Sequence, residues 1–260
     1  MCFISFISLI KNKGVIGGDY VSLKIELFFC RNNKDIFLKT LFIICKIICD
    51  IVKMTEKGKI YIASMNLRGV RAVKLDPLSL NLNVTSAQAK LSLDRRDFSP
   101  MTPIEGGYNG YWNFESSWQS GKIFEGIDEK VVKDWWKAQN EPKRRYPKGK
   151  GKKVLCARFE RYEEKGDMDY VTARKEVYVK EYYDLIKDRE RTLYWKKLLN
   201  EGKSITIYDF DGPRNEDKSV SCLELNVDLI KEKIEDVKFP FGHSYVVGCA
   251  LAGIDLSDFC

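Results

Sequence analysis

Ser204-Ile-Thr-Ile-Tyr-Asp-Phe210 is the stretch that sets the fold class. Its β-branched and aromatic residues, followed by the polar loop Asp211–Asp217, predict a buried strand. Upstream, Lys59-Ile-Tyr-Ile-Ala-Ser64 and the strictly alternating Leu80–Thr85 predict two more strands, and Val154–Tyr162 a further one. Helical patterns lie between and after them. Trp112–Phe124 and Asp128–Asn140 come first, the second capped by Asp128; Asp167–Lys187 and Arg189–Leu199 follow, then Leu225–Val237 and Ser244–Ile254. Asp97–Ile104 is punctuated by two prolines, and Glu105–Gly110 is a turn cluster. Helices interspersed with strands predict a compact α/β (α+β) domain, several helices around a small sheet.

The expected domain does not fill the chain of 260 residues, of which 44% are hydrophobic and 31% charged. Composition shifts at Met54. Residues 1–53 are rich in Phe, Ile, Leu, Cys, Lys and Asn, contain no proline and hold four of the eight cysteines. Their longest apolar run, Ile36–Val52, is interrupted by Lys39, Lys46 and Asp50 and makes a poor membrane span. It also sits too far from the N-terminus for a signal peptide. The expectation is an N-terminal extension over 1–53, disordered or preceding the natural start, with Met54 opening the domain 54–260. An amphipathic membrane anchor is the alternative. Subtracting the extension's eight basic and four acidic residues from 44 and 37 leaves 36 against 33, so the net charge falls from +7 to +3. General nucleic-acid binding is therefore not written into the domain's overall charge.

Only Cys45 and Cys49 are close, their Cys-x3-Cys spacing has no second pair with histidines nearby, and His243 is the only histidine, which disfavours a Cys/His zinc site. Scattered thiols in a Lys-rich chain predict a reducing, cytoplasmic setting. No P-loop, Gly-x-Gly-x-x-Gly, His-Glu-x-x-His or Gly-x-Ser-x-Gly occurs, so no nucleotide-fold, zincin or hydrolase motif is present and no cofactor or metal is expected.

Chemistry concentrates in Trp112–Phe124, where Glu115 and Lys122 are the only charges. On a helix, Glu115, Trp118, Gln119 and Lys122 share a face, with Phe114, Ser117 and Gly121 broadly opposite. Seven positions separate the charges by about 10 Å along the axis. A carboxylate and an amine on a buried helix need partners or a ligand, so each is either satisfied by some other core group or lines a pocket. Asp209 and Asp211 flank Phe210 at the end of the best strand, to cap turns or to face a cleft. Gly242-His243-Ser244 stands at the start of an apolar helix, where free N–H groups suit an anion and His243 suits proton transfer or a structural cap. Pro142–Lys153 carries seven basic residues and no acid; Arg144 and Arg145 are its candidates for a site, against a purely solvated loop.

Read in order, Ile60–Ser64, Val84-Thr-Ser86, Phe98-Ser-Pro100, Asn113–Phe124, Ala173-Arg-x-x-x-Tyr178, Tyr208–Pro213 and Phe241–Ser244 resemble an uncharacterised family of large DNA viruses, phages and bacteria, over about Lys59–Ile254. That family is similar in turn to the YbiA-like NADAR group, through Phe98-Ser-Pro100 followed by Glu115, Gln119 and Lys122. The resemblance implies a compact α/β fold and an N-glycosidase acting on ribosylamine nucleotides or ADP-ribosylated guanine. Glu115 and Lys122 would be the helix glutamate and helix lysine, the latter contacting substrate or forming a Schiff base with ribose; Asp209 or Asp211 would be the late-strand acid. Trp118 would stack on a base beside Gln119, and the basic residues would hold phosphate. The implied partner is a phosphorylated ribose-containing small molecule or a modified nucleic acid, met in the cytoplasm, that of the host for a viral chain, with no stable membrane association. Two departures stand out: Ser116 replaces the histidine that follows the glutamate, and the late Trp-Gly-x-Gly block gives way to Gly242-His-Ser244. A non-catalytic nucleotide or nucleic-acid binding module is the competing expectation, and an interaction protein without a small-molecule site is a third. The catalytic reading requires Glu115, Lys122 and Asp209 or Asp211 to meet in one cleft.

Overall fold

A computed structural model describes residues 56–85, 92–256 and 259, together with the backbone of 6–13 and 19–26 and residues 43 and 46. The chain divides into two units, Met1–Lys53 and Met54–Cys260. In the first, β1 (Phe6–Lys13) and β2 (Asp19–Glu26) pair antiparallel. Apart from residues 43 and 46, the remainder of the extension, and with it the expectation of disorder there, lies outside the described residues. So do Met54 and Ser86.

The second unit is an α+β fold around a four-stranded sheet. Its strands are β3 (Ile60–Ser64), β4 (Leu80–Asn83), β7 (Ile205–Asp209) and β8 (Cys222–Glu224), in the order β4-β7-β3-β8. The first three run parallel, with Ser64 opposite Asp209, and β8 joins antiparallel. Every residue of β3 and β7 is buried, as befits central strands covered on both faces. Ile60, Ile62, Ile205 and Ile207 belong to the main core, while Tyr61, Ala63 and Tyr208 point the other way into a smaller cluster with Ala72 and Cys222. A separate antiparallel pair joins β5 (Lys122–Phe124) to β6 (Val154–Ala157).

The helices are α1 (Leu93–Asp97), α2 (Phe114–Ser120), α3 (Glu129–Lys137), α4 (Tyr170–Ala173), α5 (Lys180–Ile186), α6 (Glu190–Asn200), α7 (Val227–Glu235) and α8 (His243–Ala252). A π-helical turn, Arg174–Val179, joins α4 to α5. α8 is buried from His243 to Leu251 and packs on β3 and β7, as a helix apolar on all sides must. Asp128 caps α3 as expected, its side chain accepting from the Lys130 N–H.

Several expected boundaries differ. The helix expected over Trp112–Phe124 stops at Ser120, and Lys122 starts a strand. A Cβ on Gly121 would lie 2.2 Å from the Phe159 ring, so chain and ring meet at the only residue type that permits it, and the backbone turns there. The strand expected over Val154–Tyr162 ends at Ala157, the chain then curling into a 3-10 turn, Glu160–Lys165. The long helix starts at Tyr170, capped by Asp169, and is interrupted by the π-turn. The last helix spans His243–Ala252 and ends at Gly253 in the left-handed conformation. Among the described residues no helix is long and apolar enough to cross a membrane.

Candidate functional site

The carboxyl ends of β4 and β7 and the start of α8 meet at one place, where ligands of open α/β sheets commonly bind. A cleft of about 480 Å³ opens there. Glu115, Lys122, Asp209 and Asp211 all line it, as do Trp118, Gln119, Arg144, Gly242 and His243. The geometric requirement set by the sequence is thus met, although Lys122 arrives from β5 rather than from the helix carrying Glu115.

α2 is positioned from its first residue. The Asn113 side chain accepts from the Ser116 N–H at 2.8 Å and donates to the Met101 carbonyl, while the Glu115 N–H donates to the Pro100 carbonyl. These bonds fix the loop Phe98–Thr102 against the helix and aim Glu115 along the cleft wall. The Gln119 amide donates to Glu115 Oε1 at 2.7 Å. Burial raises the Glu115 carboxyl above the ordinary carboxylate range, outweighing that hydrogen bond and the nearby charges of Lys122 and His243. Burial also lowers the Lys122 ammonium below an ordinary lysine, and the Glu115 charge opposes the fall. Both shifts favour neutral partners, an acid able to give a proton and an amine able to act as a nucleophile.

Asp209, at the end of β7, is only 2% exposed. Its Oδ2 accepts from the Ser244 N–H at 3.2 Å and lies 3.2 Å from His243 Nδ1. Asp211 sits at the rim with an exposed solvent side. Packing on its cleft side still raises its carboxyl, and repulsion from Asp209 adds to the rise, against His243, Arg214 and Arg144. The loop carrying both acids is tied to β3, because the Ser64 hydroxyl donates to the Pro213 carbonyl.

Three expected contributors stand differently from the rest. Ser244 does not line the cleft: its N–H is already engaged by Asp209, so the helix start offers an incoming anion one donor fewer than expected. Arg145 stands in a neighbouring groove with Tyr146, Gly149 and Lys150, which shares Gln119, Lys122 and Arg144 with the cleft. Trp118 reaches the cleft with 8% of its surface exposed, and its ring is stacked on Phe159 at 5.7 Å and tilted against Tyr178 at 5.1 Å, so a base would have to displace an existing aromatic neighbour.

Tyr170, Arg174, Tyr178 and Phe241 also line the cleft; the family resemblance runs through Arg174, Tyr178 and Phe241, but the sequence assigned none of the four a role. A signal existed: Tyr170, Arg174 and Tyr178 recur every four residues and so share a helix face. The Ser116 hydroxyl, which stands where the resemblance places a histidine, is buried with no hydrogen-bond partner among the described residues and does not line the cleft. No protein-family model, no curated protein and no solved structure matches this chain.

Proposed function

We propose that the cleft is the site of an N-glycosidase acting on a ribosylamine nucleotide or an ADP-ribose-linked substrate. The observation that carries this reading is the convergence of Glu115, Lys122, Asp209 and Asp211 on one cleft. Breaking a C1′–N bond moves its electron pair to the departing nitrogen and leaves positive charge on the ribose ring. Glu115, held toward its protonated form by burial, gives that nitrogen a proton. An ionised aspartate of the Asp209–Asp211 pair stabilises the ring cation and takes a proton from the water that bonds to C1′. Proton count and atoms then balance as free base plus ribosyl product. Lys122, as a neutral amine, offers a second route: its Nζ bonds to C1′ and loses a proton as the protonated base leaves. The C1′–O4′ bond then opens with its electron pair and a proton going to O4′ to leave an imine, and water hydrolyses the imine to free ribosyl product and amine.

The test is release of free base or ribose from ribosylamine and ADP-ribosylated substrates by the purified chain. Glu115→Gln is expected to slow release by about 10²-fold or more. Full activity in that variant removes Glu115 from the mechanism. A second reading, a non-catalytic binding module, draws on the basic groove that opens beside the cleft. It requires binding that weakens steeply with salt and depends on Arg144 and Arg145, without turnover.

A further inference from the structure

The cleft contains a buried cation with no ion-pair partner among the described residues. Arg174 is 2% exposed and lines the cleft. Its Nη1 donates to the carbonyls of Lys233, Ile234 and Asp236 at 3.1, 2.9 and 2.8 Å, which fixes the guanidinium against the end of α7. Its Nε and Nη2 have no hydrogen-bond partner among the described residues. Those two atoms form one edge of the guanidinium, the fork that matches two oxygens of a phosphate or carboxylate. A guanidinium stays charged at any ordinary pH, so the edge cannot escape its need for a partner by losing a proton.

The other cations of the cleft differ. Lys122 faces Glu115, and Arg144 feels Asp211. Arg174 instead sits between aromatic rings, 4.5 Å from the Tyr170 centroid and 5.9 Å from that of Phe241. It occupies the first position of the π-helical turn, a distortion found disproportionately at functional sites. Tyr170 is 46% exposed, which leaves its ring free to turn aside and admit a ligand to the guanidinium.

We propose that this aromatic end of the cleft is an anion seat, in which Arg174 grips a phosphate group of the ligand through its Nε–Nη2 edge. The cleft's carboxylates repel an anion, so the ligand lies with its phosphate at Arg174 and its sugar toward Glu115 and Asp209. This orientation rests on the ribosyl reading of the cleft; the seat itself does not.

Isothermal titration of the full chain with ribose, ribose 5-phosphate and inorganic phosphate tests it. Ribose 5-phosphate is expected to bind about tenfold or more tightly than ribose. Arg174→Lys retains the charge and a donor for the α7 carbonyls but lacks the fork, and is expected to abolish that preference while leaving ribose affinity unchanged. Arg144→Gln and Glu115→Gln are expected to keep it. Should Arg174→Lys fold poorly, the wild-type chain answers directly: inorganic phosphate should shift the Arg174 Nε–H resonance. Equal affinity for ribose and its phosphate, a preference lost in Arg144→Gln instead, or an unmoved Nε–H signal each overturns the proposal. An intact preference without turnover sinks the glycosidase reading and leaves the seat standing.

Discussion

His243 bridges two acceptors: its Nε2 lies 2.6 Å from the Val84 carbonyl oxygen and its Nδ1 lies 3.2 Å from Asp209 Oδ2. A carbonyl oxygen only accepts, so Nε2 carries a hydrogen. The imidazole thereby links the residue after β4 to the end of β7.

As the chain's only histidine, His243 gives imidazole resonances that need no assignment. Nitrogen-15 spectra of the neutral ring should show its hydrogen on Nε2, the nitrogen that faces the Val84 carbonyl. A neutral ring with its hydrogen on Nδ1 alone would contradict the bridge. His243→Ala should cost about 1–3 kcal/mol in urea unfolding, because the Val84 carbonyl and the Asp209 carboxylate each lose a buried partner.

Glu115 gives a pH signature. Its carboxyl titrates higher in the folded chain than in the unfolded one, because burial disfavours the charge. For an acid shifted upward, the folded state holds its proton longer. The resulting stability is present at pH values below the unfolded value and is lost as pH rises through the folded one. Glu115→Gln removes that dependence. The difference in unfolding free energy between Glu115→Gln and wild type should therefore move in favour of the variant as pH increases from about 4 upward. A difference independent of pH would show that the carboxyl is not desolvated.

Gly121 is the junction that delivers Lys122 to the cleft. An alanine there would place its Cβ 2.2, 2.6 and 2.6 Å from three atoms of the Phe159 ring, which is itself stacked on Trp118. Gly121→Ala should destabilise the chain by about 1–3 kcal/mol and alter tryptophan fluorescence, as the ring pair moves apart. Unchanged stability and spectrum would mean that Phe159 yields freely.

These positions also show what the sequence could and could not convey. Strong local patterns survived: the buried β3 and β7, the capped α3 and the apolar α8 all follow from periodicity and capping residues. The end of α2 did not, since it depends on Phe159, 38 positions away, and no local signal marks the contact. Glu115 was conspicuous as a rare charge among apolar neighbours. Arg174 stands in a quoted block without a role, because no local signal marks its burial: the α7 carbonyls and Phe241 that surround it are distant in sequence. Ser244 looked like an anion donor until Asp209, distant in sequence, was found on its N–H.

Gly242 shows the same lesson and yields the sharpest test. Its backbone is ordinary, with φ −69° and ψ 155°, so no conformational demand requires glycine. Space does: a Cβ would lie 2.6 Å from Asp209 Oδ2 and 2.8 Å from the Asp211 carbonyl oxygen. Gly242→Ala should push the Asp209 carboxylate off the Ser244 N–H and off His243, lowering turnover and costing about 1–3 kcal/mol of stability. Asp209→Ala alone should also destabilise, because it strips a buried N–H and an imidazole nitrogen of their acceptor. In the double variant the added methyl fills the space that the carboxylate vacates, so the two costs should sum to less than their separate values, by about 0.5 kcal/mol or more. Urea unfolding of the four chains measures this coupling. Strict additivity would show that Gly242 makes room for something other than Asp209.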